Sequence, residues 1–324
     1  PAYSGEDAVV GVEVILDGTA PMGSLLAFEM DGQRNVVPVN TSADTVRASM
    51  LVKDARRWWP QGEGEQVRYP VRVELLAKGR AMDNWNGSVG LRTISLDQYA
   101  GAFTIVVNNT PIFCKGANMV PPGMFLSSRS DSSWIALVKH MRSAHFNMVR
   151  VWGGGVYPPD AFFDACDTAG IMVWQDLMFA SLAPAGVAFL LNVEVEVNDQ
   201  VERMGHHPCL ALWCGNNELD VAWKNWGWQQ TYHLSTTDSG RIRSDYEELF
   251  ERRMPQWIVA QSSVPYTSTS PLSNWGNAEG LRTGDLHYWE VWHGDAAFDR
   301  FEKNVGRFVS EYGFQSYPDS ALLA

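Results

Sequence analysis

Period-two alternation of apolar and polar residues over positions 1 to about 98, followed to the end of the chain by strand-like runs that alternate with runs of helical spacing, predicts a multidomain fold. Its first part (1–98) is an all-β, immunoglobulin-like sandwich. Its second (99–324) is a (β/α)8 TIM barrel that is incomplete at its C-terminal side.

In the first segment Val10, Val12 and Val14 share a face, as do Val46, Ala48, Met50 and Val52, and then Val67, Tyr69, Val71, Val73 and Leu75. Asp17-Gly18, Asp31-Gly32 and Gly62-Glu63-Gly64 supply the turns. No cysteine falls here, so no antibody-like disulfide is expected. Trp58-Trp59-Pro60 reads first as a packing wedge against the next domain and only second as a sugar platform.

From Asp97 onward the grammar changes. Phe113 to Met119 is an apolar run ending in polar residues. Asp131-Ser132-Ser133 can cap a helix carrying Ile135, Val138, Met141 and Ala144. Phe146 to Trp152 is the next strand. Pro159 opens a helix that Gly170 closes, and Ile171 to Trp174 is the third strand. Phe189, Val193 and Val197 mark a helix leading to Met204. Leu210 to Glu218 (LALWCGNNE) is a fourth strand buried on both faces, which stops at a glycine, two amides and a carboxylate. A helix follows on Ile242, Tyr246, Leu249 and Arg253. Tyr266 to Ser270, Leu286 to Trp289 and Phe308 to Ser310 are strands five, six and seven. There is no eighth, and an open barrel leaves two costly edges. The remainder of a longer polypeptide, or another segment, is expected to complete the barrel and its site.

Composition narrows the function. The 324 residues carry a net charge of −12, which argues against nucleic acid and against phosphorylated substrates. No apolar run reaches the ~18 residues of a membrane helix. The chain opens Pro1-Ala2-Tyr3 without an initiator Met or a signal-like segment, so it reads as a mature form or a piece of something longer. Sequons at Asn40, Asn86 and Asn108 permit a secretory location without indicating one. Cys114, Cys166, Cys209 and Cys214 have neither metal nor redox spacing, and buried free thiols are expected. The 14 tryptophans fit a carbohydrate site, although most are expected in the core.

Glu218 ends strand four and Glu311 ends strand seven, in Arg307 to Gly313 (RFVSEYG). Strand ends on that side of a barrel face one pocket. Two carboxyls about 5–5.5 Å apart suffice for retaining glycoside hydrolysis, and about 6.5–9.5 Å implies inversion. One carboxyl must be neutral to donate a proton, which burial and a neighbouring anion promote.

At these residues the chain resembles a β-mannosidase of glycoside hydrolase family 2. The matching stretches are Phe113 to Asn118 (FCKGAN), Asn147 to Gly155 (NMVRVWGGG), Val173 to Asp176 (VWQD), Trp213 to Glu218 (WCGNNE) and Ser310 to Pro318 (SEYGFQSYP). In the sandwich, Trp58 to Pro60 and Gly90 to Thr93 match as well. The resemblance implies a retaining exo-β-mannosidase acting on terminal β-mannose of oligosaccharides or glycoprotein glycans, with no cofactor and no metal. It implies Glu218 as acid/base, Glu311 as nucleophile and Asn217 as a partner of the sugar 2-hydroxyl. It implies Trp152 as a subsite wall, with Trp226, Trp275 and His293 as further substrate contacts. Asp176 either orients a neighbour or pairs with Arg150. Family members usually carry a jelly-roll domain before the sandwich and further sandwiches after the barrel. The chain departs from relatives at Pro158-Pro159 and in the loop after Met178, with Pro184 and Gly186.

Other readings compete. Gly153-Gly154-Gly155 lacks phosphate-loop spacing and reads as close backbone approach. His287 to His293 (HYWEVWH) lacks the metalloprotease spacing, and its aromatics suit a strand. A sister enzyme acting on β-glucosaminides, mannosylglycoproteins or β-galactosides, and a catalytically silent carbohydrate-binding protein, are the two alternatives.

Overall fold

The computed structural model describes residues 1–40, 45–125, 128–181, 186–274 and 279–316. Two antiparallel sheets come first. β1 (Ala2–Ser4), β2 (Asp7–Ile15) and β5 (Thr45–Val52) form one, in the order β1-β2-β5. β3 (Leu25–Met30), β4 (Gln33–Pro38), β6 (Tyr69–Ala77) and β7 (Arg80–Val89) form the other, in the order β4-β3-β6-β7. The register places Val10 opposite Met50, Val12 opposite Ala48 and Val14 opposite Val46, so the residues that share a face in the sequence also pair across strands. Leu26, Phe28, Val71 and Val73 complete the apolar core with Val46, Met50 and Val52.

A small antiparallel sheet follows, with β9 (Thr104–Val107) between β8 (Ile94–Asp97) and β10 (Thr110–Pro111). Residue 98 lies in the link between β8 and β9. Phe103, just ahead of β9, stacks on Trp174 with ring centres 5.5 Å apart and meets Phe308 edge-on at 5.2 Å.

Parallel strands then dominate. β11 (Gly116–Met119), β12 (Met148–Val151), β13 (Met172–Asp176), β14 (Leu210–Cys214) and β15 (Tyr266–Thr267) pair in chain order. β16 (Ser273–Asn274), β17 (Asp285–Tyr288) and β18 (Phe308–Tyr312) form a second parallel sheet. β15 and β16 lie on one stretch of chain whose first half pairs with β14 and whose second half pairs with β17. No backbone ladder joins β18 to β11 among the described residues, and only the side chain of Asn118 reaches the carbonyl of Ser310, at 2.9 Å. A complete eight-stranded ring is therefore not present among them.

The helices form for legible reasons. α1 (Asp131–Ser143) buries Trp134, Val138 and Met141, one stripe at helical spacing. α2 (Asp160–Ala169) starts after Pro159 and ends at Gly170, whose φ of 74° is the left-handed cap that glycine takes without strain. α3 (Val187–Met204) buries Val193, Val197, Val201 and Met204. α4 (Leu219–Asn225) and α5 (Trp228–Thr231) lie beyond the fourth parallel strand. α6 (Thr236–Tyr246) runs through a π-helical segment (Glu247–Arg253) into α7 (Met254–Val259), and Phe250, Met254 and Ile258 point inward. The stretch expected as a strand from His287 to His293 divides: β17 ends at Tyr288, and α8 (Glu290–His293) turns the chain back. α9 (Arg300–Lys303) precedes the last strand.

The sandwich is keyed to the parallel sheet. Trp58 is fully buried in the larger core, and its Nε1 donates to the carbonyl of Asp167 at 2.8 Å. Arg92 donates through Nε to Pro208 O at 2.9 Å and through Nη2 to Leu210 O. Trp58 thus packs as the wedge its sequence context suggested. All four cysteines are free, and Cys166, Cys209 and Cys214 are buried. None of the described helices is long and apolar enough to cross a membrane.

Candidate active site

β14 is buried at every residue, as the LALWC run requires. The chain leaves it through Gly215, where a Cβ would meet the Ser268 carbonyl at 2.4 Å, so only glycine fits the turn. Asn217 N donates to Phe179 O and Glu218 N to Ser270 O, both at 2.8 Å. These bonds hold Glu218 in the left-handed region, at φ 63°, which is unfavourable for a residue with a side chain. The strained turn aims the Glu218 carboxyl into a cleft at the C-terminal ends of the parallel strands. Strand β18 delivers Glu311 to the same place.

The two carboxylates meet around one imidazole. His287 Nδ1 is 2.8 Å from Glu218 Oε1 and 3.3 Å from Glu311 Oε2. One oxygen of each carboxylate and one nitrogen of the ring all lie within 4.8 Å of one another. This His-and-two-carboxylate cluster could also hold a cation, as could a second buried cluster, Asp167, His207 and Cys209.

Arg150, from β12, organises the floor. It donates to Asp176 through Nε at 3.2 Å and Nη2 at 2.7 Å, to Asn217 Oδ1 at 2.8 Å, to Glu311 Oε1 at 2.6 Å and to Asn118 Oδ1 at 3.2 Å. Burial by itself would lower the guanidinium's pKa, but Asp176 and Glu311 outweigh it and hold it above its usual value. Asp176 also accepts from Trp174 Nε1 at 2.9 Å and from Gly153 N at 3.0 Å. It therefore pairs with Arg150 and, through Arg150, orients Asn217 and Glu311. Gly153 comes so close that a Cβ there would lie 2.8 Å from the carbonyl of Leu177, the close backbone approach that the triple glycine suggests.

The two glutamates sit in different surroundings. Glu311 is clamped by Arg150, and Trp289 Nε1 donates to its Oε2 at 3.2 Å. Glu218 has no guanidinium contact, and its side chain is 21% exposed against 10% for Glu311. Burial raises the Glu218 carboxyl above the usual range, opposed by Arg150, by the 3.4 Å bond from Asn217 Nδ2 and by His293. Desolvation pushes His287 down to about 4, so the ring is neutral near pH 7.

Trp152, Asn217, Glu218, Trp289, His293 and Glu311 are among the residues lining a cleft of about 1390 Å³. The cleft continues between β11 and β18, past Phe113 and Phe308. His293 packs on Trp289 with ring centres 5.8 Å apart. Trp226 ends α4 half-exposed, edge-on to Trp228 at 5.7 Å, and is not among the residues lining this cleft. Trp275 lies outside the described residues. The sequence reading did not place Arg150, His287 or Trp289 in the site. A signal existed for Arg150: a lone charge in a strand buried on both faces requires partners.

No family model matches the chain. It is 33% identical over 303 residues to β-mannosidase B of Thermothelomyces thermophilus, covering 89% of this chain and 35% of that protein. It is 34% identical over 284 residues to the β-mannosidase of Rattus norvegicus, covering 82% of this chain and 31% of that one. The crystal structure of a β-D-mannosidase from Dictyoglomus thermophilum superposes with a TM-score of 0.87 at 31% identity, over 99% of this chain and 40% of that one. A β-glucuronidase of Bacteroides uniformis shares the fold, with a TM-score of 0.73 at 18% identity over 94% of this chain and 37% of that one. The chain spans about 35% of the length of the first of these curated relatives. By sequence and by fold it belongs with the β-mannosidases of glycoside hydrolase family 2, matching 31–40% of the length of those named here.

Proposed function

We propose that the chain carries the catalytic carboxylates of a retaining exo-β-mannosidase, with Glu218 as acid/base and Glu311 as nucleophile. The observation that carries this reading is the approach of the two carboxylates, an oxygen of each within 4.8 Å, with Glu311 held by Arg150 and Glu218 without a guanidinium contact. That close approach is compatible with the ~5–5.5 Å carboxyl separation of retaining enzymes and is shorter than the ~6.5–9.5 Å of inverting ones. Arg150 Nη1 holds Glu311 Oε1 at 2.6 Å and fixes the orientation of the proposed nucleophile. Burial without such a contact favours the protonated acid at Glu218.

In the first step a Glu311 oxygen bonds to the anomeric carbon as the bond to the leaving oxygen breaks. The Glu218 proton passes to that oxygen. The Glu311 anion has then become an ester, and loss of its charge lowers the Glu218 pKa. In the second step Glu218 takes a proton from water, whose oxygen bonds to the anomeric carbon and releases Glu311. Asn217, oriented by Arg150, is placed to meet the 2-hydroxyl, where a hydrogen bond strengthens as charge develops on the neighbouring carbon. Trp152 and His293, which line the cleft, are the proposed walls for the terminal sugar. Action on terminal, non-reducing β-mannose rests on the likeness to the named β-mannosidases.

We assign residues 1–98 to a sandwich domain and 99–324 to a catalytic domain. Among the described residues no ladder joins the edges of β11 and β18, an arrangement that suits a further segment completing the wall between them. A panel of aryl β-glycosides, with the first-formed product followed by NMR, tests the function. β-Mannosides should be cleaved fastest and β-mannose should appear before mutarotation. Initial release of the α-anomer, or preference for another β-sugar, overturns the assignment.

A further inference from the structure

A buried hydrogen-bond chain leads away from the two carboxylates, and its donors can be counted. Among the described residues, His287 Nε2 has two polar neighbours, Ser270 Oγ at 3.0 Å and Arg150 Nη1 at 3.3 Å. Arg150 has five N–H donors, and all are committed elsewhere: two on Nη1 to Glu311 and Asn118, two on Nη2 to Asp176 and Asn217, one on Nε to Asp176. Nothing on Arg150 is left to donate to the ring. Ser270 has one hydroxyl hydrogen, and its Oγ lies 2.6 Å from Asp285 Oδ2, a separation that requires a proton between the two oxygens. Asp285 also accepts from Ser310 Oγ at 2.6 Å and from Leu272 N at 2.8 Å, so it acts as an acceptor throughout. Ser270 therefore donates to Asp285 and can only accept from His287. The ring nitrogen facing it must carry the hydrogen.

We propose that His287 is a positioning residue, fixed by Ser270 and Asp285 as the Nε2–H tautomer, so that its Nδ1 lone pair faces Glu218 and the proton of their 2.8 Å contact must reside on the Glu218 carboxyl. The inference rests on the reading of Glu218 as the acid. It adds a reason why the proton sits there in the resting site. A neutral ring has one donor and one acceptor nitrogen, and Nε2 has taken the donor role. An ionised Glu218 would put a second carboxylate oxygen, and the nearer one, against a lone pair that already faces Glu311 Oε2 at 3.3 Å. Rotation about the last torsion of Glu218, which is soft, presents the stored proton to a leaving oxygen. After transfer, the same lone pair favours the step in which Glu218 recovers a proton from water. The charged groups facing the ring are Glu218, Glu311, Arg150 and Asp285, and His293 acts on Glu218 from the rim. The low pKa of the ring is consistent with a neutral imidazole.

Two-bond ¹H–¹⁵N NMR of ¹⁵N-histidine-labelled protein, with His287 assigned by comparison with His287→Asn, reads the tautomer directly. A protonated Nε2 and an unprotonated Nδ1 are expected between about pH 5 and 8. A protonated Nδ1, or an imidazolium, overturns the proposal. Ser270→Ala removes the acceptor for Nε2–H. It should release the Nδ1–H tautomer and lower the Glu218 pKa by about one to two units, read from the basic limb of kcat/KM or from a ¹³C-carboxyl titration. An unchanged tautomer in Ser270→Ala overturns the lock. The two ideas fail separately. The Nε2–H tautomer together with a fully active Glu218→Gln sinks the acid assignment alone. The wrong tautomer with an inactive Glu218→Gln sinks the lock alone.

Discussion

Arg150 Nη1 donates to Glu311 Oε1 at 2.6 Å, and through this contact a strand-two cation fixes the carboxylate of the last strand. The same guanidinium holds Asp176 at 2.7 Å. Three stretches of chain are thereby tied at one buried point, and the energetics of that point are open to measurement.

Removing the guanidinium leaves two buried carboxylates without their cation. Arg150→Met should cost about 3–5 kcal/mol of stability, because stranding a partner of a buried ion pair is far costlier than the pair's net worth. Urea denaturation of the variant checks this. A loss within 1 kcal/mol would mean that Asp176 and Glu311 find other partners or take up protons at little cost.

Loss of either glutamate should show in kinetics, and differently. Glu311→Ala should lower kcat by about 10⁴-fold or more on every β-mannoside, since no covalent intermediate can form. Glu218→Ala should cost about 10²–10⁴-fold on natural substrates and much less on aryl mannosides whose leaving groups need no proton. Near-normal cleavage of a natural β-mannoside by Glu218→Ala contradicts the acid assignment.

His287 links stability to pH. The folded ring takes its proton only near pH 4, whereas an unfolded histidine does so near ~6.5. Between these values the unfolded state binds more protons, so stability falls as pH falls through that window. The contribution amounts to at most about 3 kcal/mol. Urea midpoints of wild type and His287→Asn between about pH 4 and 7 isolate it: the wild type should lose the extra stability on acidification, and a parallel pH course in the two proteins contradicts it.

Trp58 couples the sandwich to the parallel sheet by a buried indole whose N–H meets the Asp167 carbonyl at 2.8 Å. Trp58→Ala should destabilise by about 3–5 kcal/mol, and Trp58→Phe by less, since the ring volume is mostly kept while the carbonyl loses its donor. A thermal unfolding scan that shows two separated transitions in Trp58→Ala would locate the loss at this junction.

Local periodicity determined much of this protein. The pairing faces of Val10 to Val14 and Val46 to Val52, the caps of the helix from Asp160 to Ala169, and the buried LALWC strand with its abrupt polar end all follow from side-chain spacing and backbone preference, which act over a few residues. The two strand-end glutamates were legible for the same reason. Spacing could not decide what lies beside them. Arg150 comes from β12, His287 and Asp285 from β17, and Ser270 from the link between β15 and β16, and only folding brings their donors and acceptors within 3 Å or so of one another. The split of His287 to His293 into strand end and short helix was likewise set by packing, since its aromatics suit either state. Sequence named the carboxyls, whereas hydrogen-bond geometry, a property of long-range contacts, decided their surroundings.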